Sequence, residues 1–168
     1  FPLLAMPLFL LAAELMTGGA LADVLVRFAL MFVGHRRGGL GYTNILGLTF
    51  FSGISGSALA DAAGPGAILI RMMRRSGYPP EYAAALTATT AVVGPIIPPS
   101  ITMIIYALQD DNVSVLQLFW AGVVPGLLIS GSLMGYNFWA SRRRNFRSEG
   151  APMIFQASKF LLLMIGLF

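Results

Sequence analysis

Long uncharged apolar runs alternate with short basic clusters along this chain, and two of the runs are too short or too broken for a plain crossing helix. Residues 38–60 carry no charge and are long enough to span a hydrocarbon core of about 30 Å. The next uncharged run, 62–70, has only nine residues, about 14 Å of helix at 1.5 Å per residue, and cannot return the chain across. Residues 82–109 would make an unbroken helix of about 42 Å. Gly94, Pro95, Pro98 and Pro99 forbid it, since each proline lacks an N–H and clashes with the preceding turn. This run therefore predicts two half-helices joined by an unwound middle. Residues 113–140 form a further uncharged run, with Trp120, Tyr136 and Trp139 near its ends, where aromatic belts form at membrane surfaces.

Composition agrees: the 168 residues are 57% hydrophobic and 11% charged, with a mean hydropathy of +0.77. The expected class is an all-α integral membrane protein. Of the eleven Lys and Arg, nine fall in three clusters: Arg36-Arg37, Arg71/Arg74/Arg75 and Arg142-Arg143-Arg144 with Arg147. They bracket oily runs, which is the positive-inside pattern rather than a nucleic-acid surface. The first two clusters flank the 38–60 and 62–70 pair, so both ends of that pair belong on the cytoplasmic side. A re-entrant helical hairpin satisfies this, entering from Gly39 and turning between Ser55 and Asp61. The broken run then emerges at Asp110-Asp111, outside, and 113–140 returns to the third cluster.

Several chemistries drop out. The chain has no cysteine and one histidine, His35, within the first arginine cluster, which leaves no transition-metal set. It has no phosphate-binding glycine loop of the ATPase type. His35 and the hairpin serines belong at different membrane depths, so a hydrolase triad is not assembled. Asp23 and Arg27 form an i,i+4 pair in a helix over 20–33, expected at the interface or packed in the bundle. Position 1 is not Met and the chain ends in LLLMIGLF, so the sequence is expected to be part of a longer one.

The hairpin tip collects hydroxyls from Ser52, Ser55 and Ser57, one carboxylate from Asp61, and glycines that let backbone approach closely. A carboxylate at membrane depth needs a cationic or hydrogen-bonding partner. At the break, unwinding frees carbonyls between Val92 and Ile97, oxygen ligands that suit Na⁺. Ser100 is placed to cap the second half-helix, and Thr87, Thr89 and Thr90 precede the break. Two interrupted apolar segments close together are the sequence sign of a transporter binding site. Glycines used only for helix packing would make the same chain a membrane scaffold.

The runs FPLLAMPLFLLAAELM (1–16), VGHRRGGLGYTN (33–44), FSGISGSALADAAG (51–64) and VGPIIPPSITMIIYA (93–107) resemble the large membrane subunit of tripartite ATP-independent periplasmic (TRAP) transporters, over about residues 1–144. The resemblance implies an elevator-type secondary transporter, of which this chain supplies the first of two inverted repeats. It implies uptake of organic acids, such as C4-dicarboxylates or sialic acid, on a Na⁺ gradient, in a bacterial or archaeal inner membrane. It also implies two partners, a small membrane subunit, separate or fused, and a periplasmic substrate-binding protein. It implies no enzymatic activity and no cofactor besides the coupling ion. Carried over by position, Ser55, Gly56, Ser57 and Asp61 lie at the tip. Thr89, Thr90, Gly94, Pro95, Pro98, Pro99 and Ser100 line the facing break. Na⁺ is then held through Ser55, Ser57, Gly94 and neighbouring carbonyls. The expected divisions are 1–38 (scaffold helix and interfacial helix), 39–78 (hairpin), 79–112 (broken helix), 113–147 (crossing helix) and 148–168 (loop and a further membrane segment). Where the family often reads ILIP after the tip, this chain has Ile68-Leu69-Ile70-Arg71 behind Gly64-Pro65-Gly66, and Pro65 is expected to shorten the second hairpin helix. A stand-alone ion-coupled dicarboxylate transporter or antiporter, needing no binding protein, shares these features.

Overall fold

The computed structural model describes residues 20–109 and 113–146, together with Leu8 and Leu11, and these are helices and turns throughout. Seven helices follow in order: α1 (Ala20–Val33), α2 (Gly39–Ser55), α3 (Ala58–Ala63), α4 (Pro65–Arg75), α5 (Pro80–Ala91), α6 (Ile101–Ala107) and α7 (Val115–Arg144). The expectations for 1–16, for Asp110-Asp111 and for 148–168, apart from Leu8 and Leu11, lie outside the described residues. The Asp23 side chain and Arg147 lie outside them too.

α2 begins after Gly38 and stops at Gly56, both with left-handed backbone (φ 74° and 59°) that side chains with a Cβ rarely adopt. The Gly56 N–H closes the helix on the Ser52 carbonyl, and Ser57 then caps α3 by accepting from the Ala60 N–H. The return arm is α3 followed by α4. Gly64 interrupts it, and Pro65 opens α4 at its first position, where the missing N–H costs nothing. Pro65 therefore restarts the arm rather than shortening it. The arm also runs on through Arg71, Arg74 and Arg75, beyond the uncharged stretch, because long basic side chains at a helix end reach polar surroundings while their stems stay packed.

α2 packs against α1, α4, α5 and α7 and is the central element of the bundle. Its buried Leu40 and Ile45 join Met73 of α4, Tyr82, Ala83 and Leu86 of α5, and Ala140 of α7 in one core. A second cluster joins Val26 of α1 to Leu48 and Leu69. α1 is thus packed along the hairpin. Among the described residues α7 is the one helix long and apolar enough to cross a membrane, and Leu116, Trp120, Val124, Leu127 and Leu128 are exposed along it.

The three basic clusters meet at one end of the bundle. Arg36, Arg37 and Arg142 line a common pocket, and Arg144 lines another with Ser76, Gly77 and Pro79, directly after Arg74-Arg75. At the opposite end of α2, about 25 Å away for seventeen residues, lies the hairpin tip. α7 confirms the level: Ser141 sits against Gly38, while Gly126, fifteen residues earlier and about 22 Å up the helix, sits against Ile97 of the break. Tip and break share one depth.

Candidate functional site

The tip is organised around Asp61, fully buried on α3. Ser52 Oγ donates to Asp61 Oδ2 at 2.6 Å and Ser55 Oγ donates to Oδ1. A buried carboxylate needs such donors, because an unpaired one is far costlier than a neutral polar group. Both serines stand in the last turn of α2, three residues apart and so on one helix face. Ser55 Oγ also accepts from the Ser57 N–H at 3.3 Å. Ser55 Oγ thus both donates to Asp61 and accepts from the tip backbone.

The break, residues 92–100, packs onto this tip through backbone. A Cβ on Gly56 would lie 2.7 Å from the Pro99 carbonyl oxygen and 3.0 Å from the Ile101 nitrogen. One on Gly94 would lie 2.7 Å from Asp61 Oδ2 and 3.1 Å from the Ala58 nitrogen. Glycine is required at both places by closeness of approach. Ser100 Oγ donates to the Pro95 carbonyl at 2.7 Å and accepts from the Met103 N–H at 3.3 Å, closing the loop and capping α6 in one group. The Pro98–Pro99 peptide is cis. Among the described residues no N–H bonds the carbonyls of Val92, Gly94, Ile96 or Ile97 in the break, nor those of Gly53, Ile54 or Ser55 at the tip. The C-terminal ends of α2 and α5 therefore converge on one region, each the negative end of its helix dipole. Free carbonyls, one carboxylate and polarised hydroxyls make a hard-oxygen environment suited to a small cation.

Not every residue expected here arrives. Ser55, Gly56, Ser57 and Asp61 meet Gly94, Pro98, Pro99 and Ser100, with Pro95 bound to the last. Thr90 is buried, but its hydroxyl is committed to the Leu86 carbonyl of its own helix. Thr89 faces elsewhere: it is exposed, donates to the Ala85 carbonyl, and borders a groove with Tyr82, Leu133 and Tyr136. Ser52, noted among the tip hydroxyls but not carried into the site, is a direct partner of Asp61.

Two amides were not anticipated. Asn44, fully buried on α2, donates to Thr87 Oγ1 at 2.6 Å and ties the hairpin to α5. Asn137, fully buried on α7, accepts from the Tyr82 hydroxyl at 2.8 Å and donates to the Gly38 carbonyl at 3.3 Å. Gly41 makes room for it, since a Cβ there would overlap the amide. A lone amide inside an uncharged run was the available signal, because such a group must find partners away from lipid. Among the described residues no group of three His, Cys, Asp or Glu gathers around a metal-sized space.

Comparison with known proteins gives consistent matches. The family model described as "Tripartite ATP-independent periplasmic transporter, DctM component" matches residues 1–165. The sialic acid TRAP transporter permease protein SiaT of Haemophilus influenzae (strain 86-028NP) is 43% identical over 146 residues, 87% of this chain and 24% of its own length. The 2,3-diketo-L-gulonate TRAP transporter large permease protein YiaN of Escherichia coli (strain K12) is 42% identical over 154 residues, 91% of this chain and 36% of its own. The C4-dicarboxylate TRAP transporter large permease protein DctM of Pseudomonas aeruginosa PAO1 is 46% identical over 134 residues, 80% of this chain and 31% of its own. These relatives are named as permeases and not as enzymes. The chain spans about a quarter to a third of their length.

Proposed function

The chain belongs to the DctM component family of tripartite ATP-independent periplasmic transporters, and on that footing we propose that it supplies one ion-binding half of a large permease subunit that moves organic acids into the cell on a Na⁺ gradient. The observation that carries the reading is the buried Asp61, held by Ser52 and Ser55 directly beside the Gly94 backbone of the break, in a tip and a break whose carbonyls are left without an N–H among the described residues. Such an arrangement favours a hard cation over an anion. Ser55, Ser57 and Asp61, with carbonyls near Gly56, Gly94, Pro98 and Pro99, are the groups proposed to hold Na⁺. The ion would sit between the carboxylate and the carbonyl ends of α2 and α5, while Ser57 and Ser100 cap the N-terminal ends of α3 and α6. Ser100 and Pro95 set the shape of the break.

The cargo class follows from relatives named for sialic acid, diketogulonate and C4-dicarboxylates, all of them acids. The working assembly includes a small membrane subunit, separate or fused, and a periplasmic binding protein that delivers the acid. The whole sits as a multi-pass protein in a bacterial or archaeal inner membrane. In this orientation the arginine-rich end faces the cytoplasm, and the hairpin re-enters on that side.

The test is uptake by the full-length parent, reconstituted in proteoliposomes with its small subunit and binding protein, against a panel of labelled organic acids. Uptake should require an inward Na⁺ gradient and fall on the order of tenfold or more with Ser55→Ala or Asp61→Asn, equivalent to at least about 1.4 kcal/mol. Uptake indifferent to the gradient would remove the coupling. Uptake that proceeds without the binding protein would assign the chain to a stand-alone carrier. Unchanged transport by both variants would leave the tip a packing device.

A further inference from the structure

The basic end holds a pocket of about 480 Å³ lined by Arg36 and Arg37 from the turn before α2, Tyr42 of α2, and Phe138, Ser141 and Arg142 of α7. It lies at the other end of α2 from the Asp61 tip and is separate from the ion chemistry proposed above. Three guanidinium groups border one space. The acidic residues with described side chains are Asp61 and Glu81, and neither lines it. Ser141 also lines it, but its hydroxyl is buried against Gly38 and is not open to the pocket. Three arginines around one space favour an anion, and the planar fork of arginine matches phosphate oxygens in particular.

Its depth selects the kind of anion. Tyr136, Phe138 and Trp139, all about half exposed, stand within two turns of the arginine triplet, where aromatic side chains mark the membrane–water boundary. The Arg142 guanidinium lies 4.2 Å from the Phe138 ring centroid, and Arg143 lies 4.3 Å from that of Trp139. Below the pocket, Phe138, Gly135, Gly131, Leu127 and Val124 recur at helical spacing on one exposed face of α7. At Gly131 and Gly135 a Cβ would meet nothing within 4 Å, so the face is an open apolar lane. Charge above and a lane of oil below match a phospholipid.

We infer that this pocket binds the headgroup phosphate of an anionic phospholipid of the cytoplasmic leaflet, its acyl chain lying along the Val124-to-Phe138 lane of α7. Arg36 and Arg142 grip the phosphate from opposite walls, and Arg143, turned onto Trp139, takes no part.

The adjacent arginines make the test. The full-length parent complex in detergent is titrated with dioctanoyl phosphatidylglycerol, dioctanoyl phosphatidylcholine and inorganic phosphate, and binding is followed by thermal melting and by native mass spectrometry. Phosphatidylglycerol should raise the melting temperature and remain bound, while phosphatidylcholine and inorganic phosphate at equal concentration do neither. Arg142→Gln and Arg36→Gln should weaken phosphatidylglycerol on the order of tenfold each. Arg143→Gln, with the same loss of charge, should leave it unchanged. Melting without lipid tells a lost site from a lost fold, and if Arg142→Gln does not fold, Arg36→Gln on the exposed turn decides. Equal weakening by Arg142→Gln and Arg143→Gln would reduce the effect to general surface charge. An equal response to inorganic phosphate would make the pocket a free-anion site, and an equal response to phosphatidylcholine would remove the preference for charge. Each of these overturns the proposal.

Discussion

Replacing Gly94 by alanine tests the contact between tip and break with a single methyl group. The added carbon would lie 2.7 Å from Asp61 Oδ2, 3.1 Å from the Ala58 nitrogen and 3.1 Å from the Ala91 carbonyl oxygen. Gly94 does not have the left-handed φ that disfavours a side chain, so the effect is read chiefly as one of contact. Asp61 cannot simply swing aside, because Ser52 and Ser55 hold both of its oxygens. The remaining response is to part the break from the tip by a few tenths of an ångström. Inserting a methyl group into a packed site costs about 1–3 kcal/mol. If that cost falls on the ion-bound state, Na⁺ affinity drops roughly five- to 150-fold. The assay is Na⁺-dependent uptake by the reconstituted parent, fitted for half-saturating Na⁺, beside melting temperatures with and without Na⁺. Gly131→Ala and Gly135→Ala are the comparators, since a Cβ there meets nothing within 4 Å; both should keep the wild-type half-saturation and melt no lower than wild type. If Gly94→Ala matched them in half-saturation and in melting, the tight meeting of tip and break would not be part of the ion's environment.

Three further outcomes are expected. Ser52→Ala leaves Asp61 Oδ2 without its 2.6 Å donor and should cost about 1–3 kcal/mol, read as a lower melting temperature that is not restored by Ser52→Val. Tyr82→Phe and Asn137→Leu remove the two sides of one 2.8 Å bond, so a double-mutant cycle on melting stability should give a coupling of about 0.5–3 kcal/mol, and strict additivity would refute the bond. In a cysteine-free background, His35→Cys and Gly77→Cys, both exposed at the arginine-rich end, should react with an impermeant thiol reagent from the same side of the membrane. Labelling from opposite sides would rule out a re-entrant hairpin.

Much of this was legible because it is written in residues that restrict the backbone. Gly94, Pro95, Pro98 and Pro99 dictate a break wherever the chain folds, and the arginine clusters dictate which ends lie together. The return arm was misjudged because its length was counted by charge. Arg71, Arg74 and Arg75 are helical, and a charged side chain ends an apolar run without ending a helix. Thr89 and Thr90 could not be told apart for a related reason: neighbours on a helix point about 100° apart, and without the buried face known, the pattern AAALTATTA has no phase. Asn44 and Asn137 were passed over because their partners, Thr87 and Tyr82, lie 43 and 55 residues away. Nothing local announces a bond that only the tertiary fold creates.

α7 has one more consequence. Among the described residues its directional bonds to the rest of the bundle, Thr49–Ser130, Tyr82–Asn137 and Asn137–Gly38, fall in its arginine-ended half. Toward its other end it touches the break through Gly122 and Gly126 against Ile96, Ile97 and Met103, contacts without direction or register. A helix bonded at one end and greased at the other is a lever, with Pro125 inside it as a place to bend beside the break. From Asn137 to Val115 is about 33 Å of helix, so a tilt of about 5° about Asn137 carries the far end roughly 3 Å across the break, while Ser130, about 10 Å from the pivot, moves about 1 Å and its bond to Thr49 is the one strained. Small rotations near the arginines would thereby become sliding of α7 against Ile96 and Ile97 of the break.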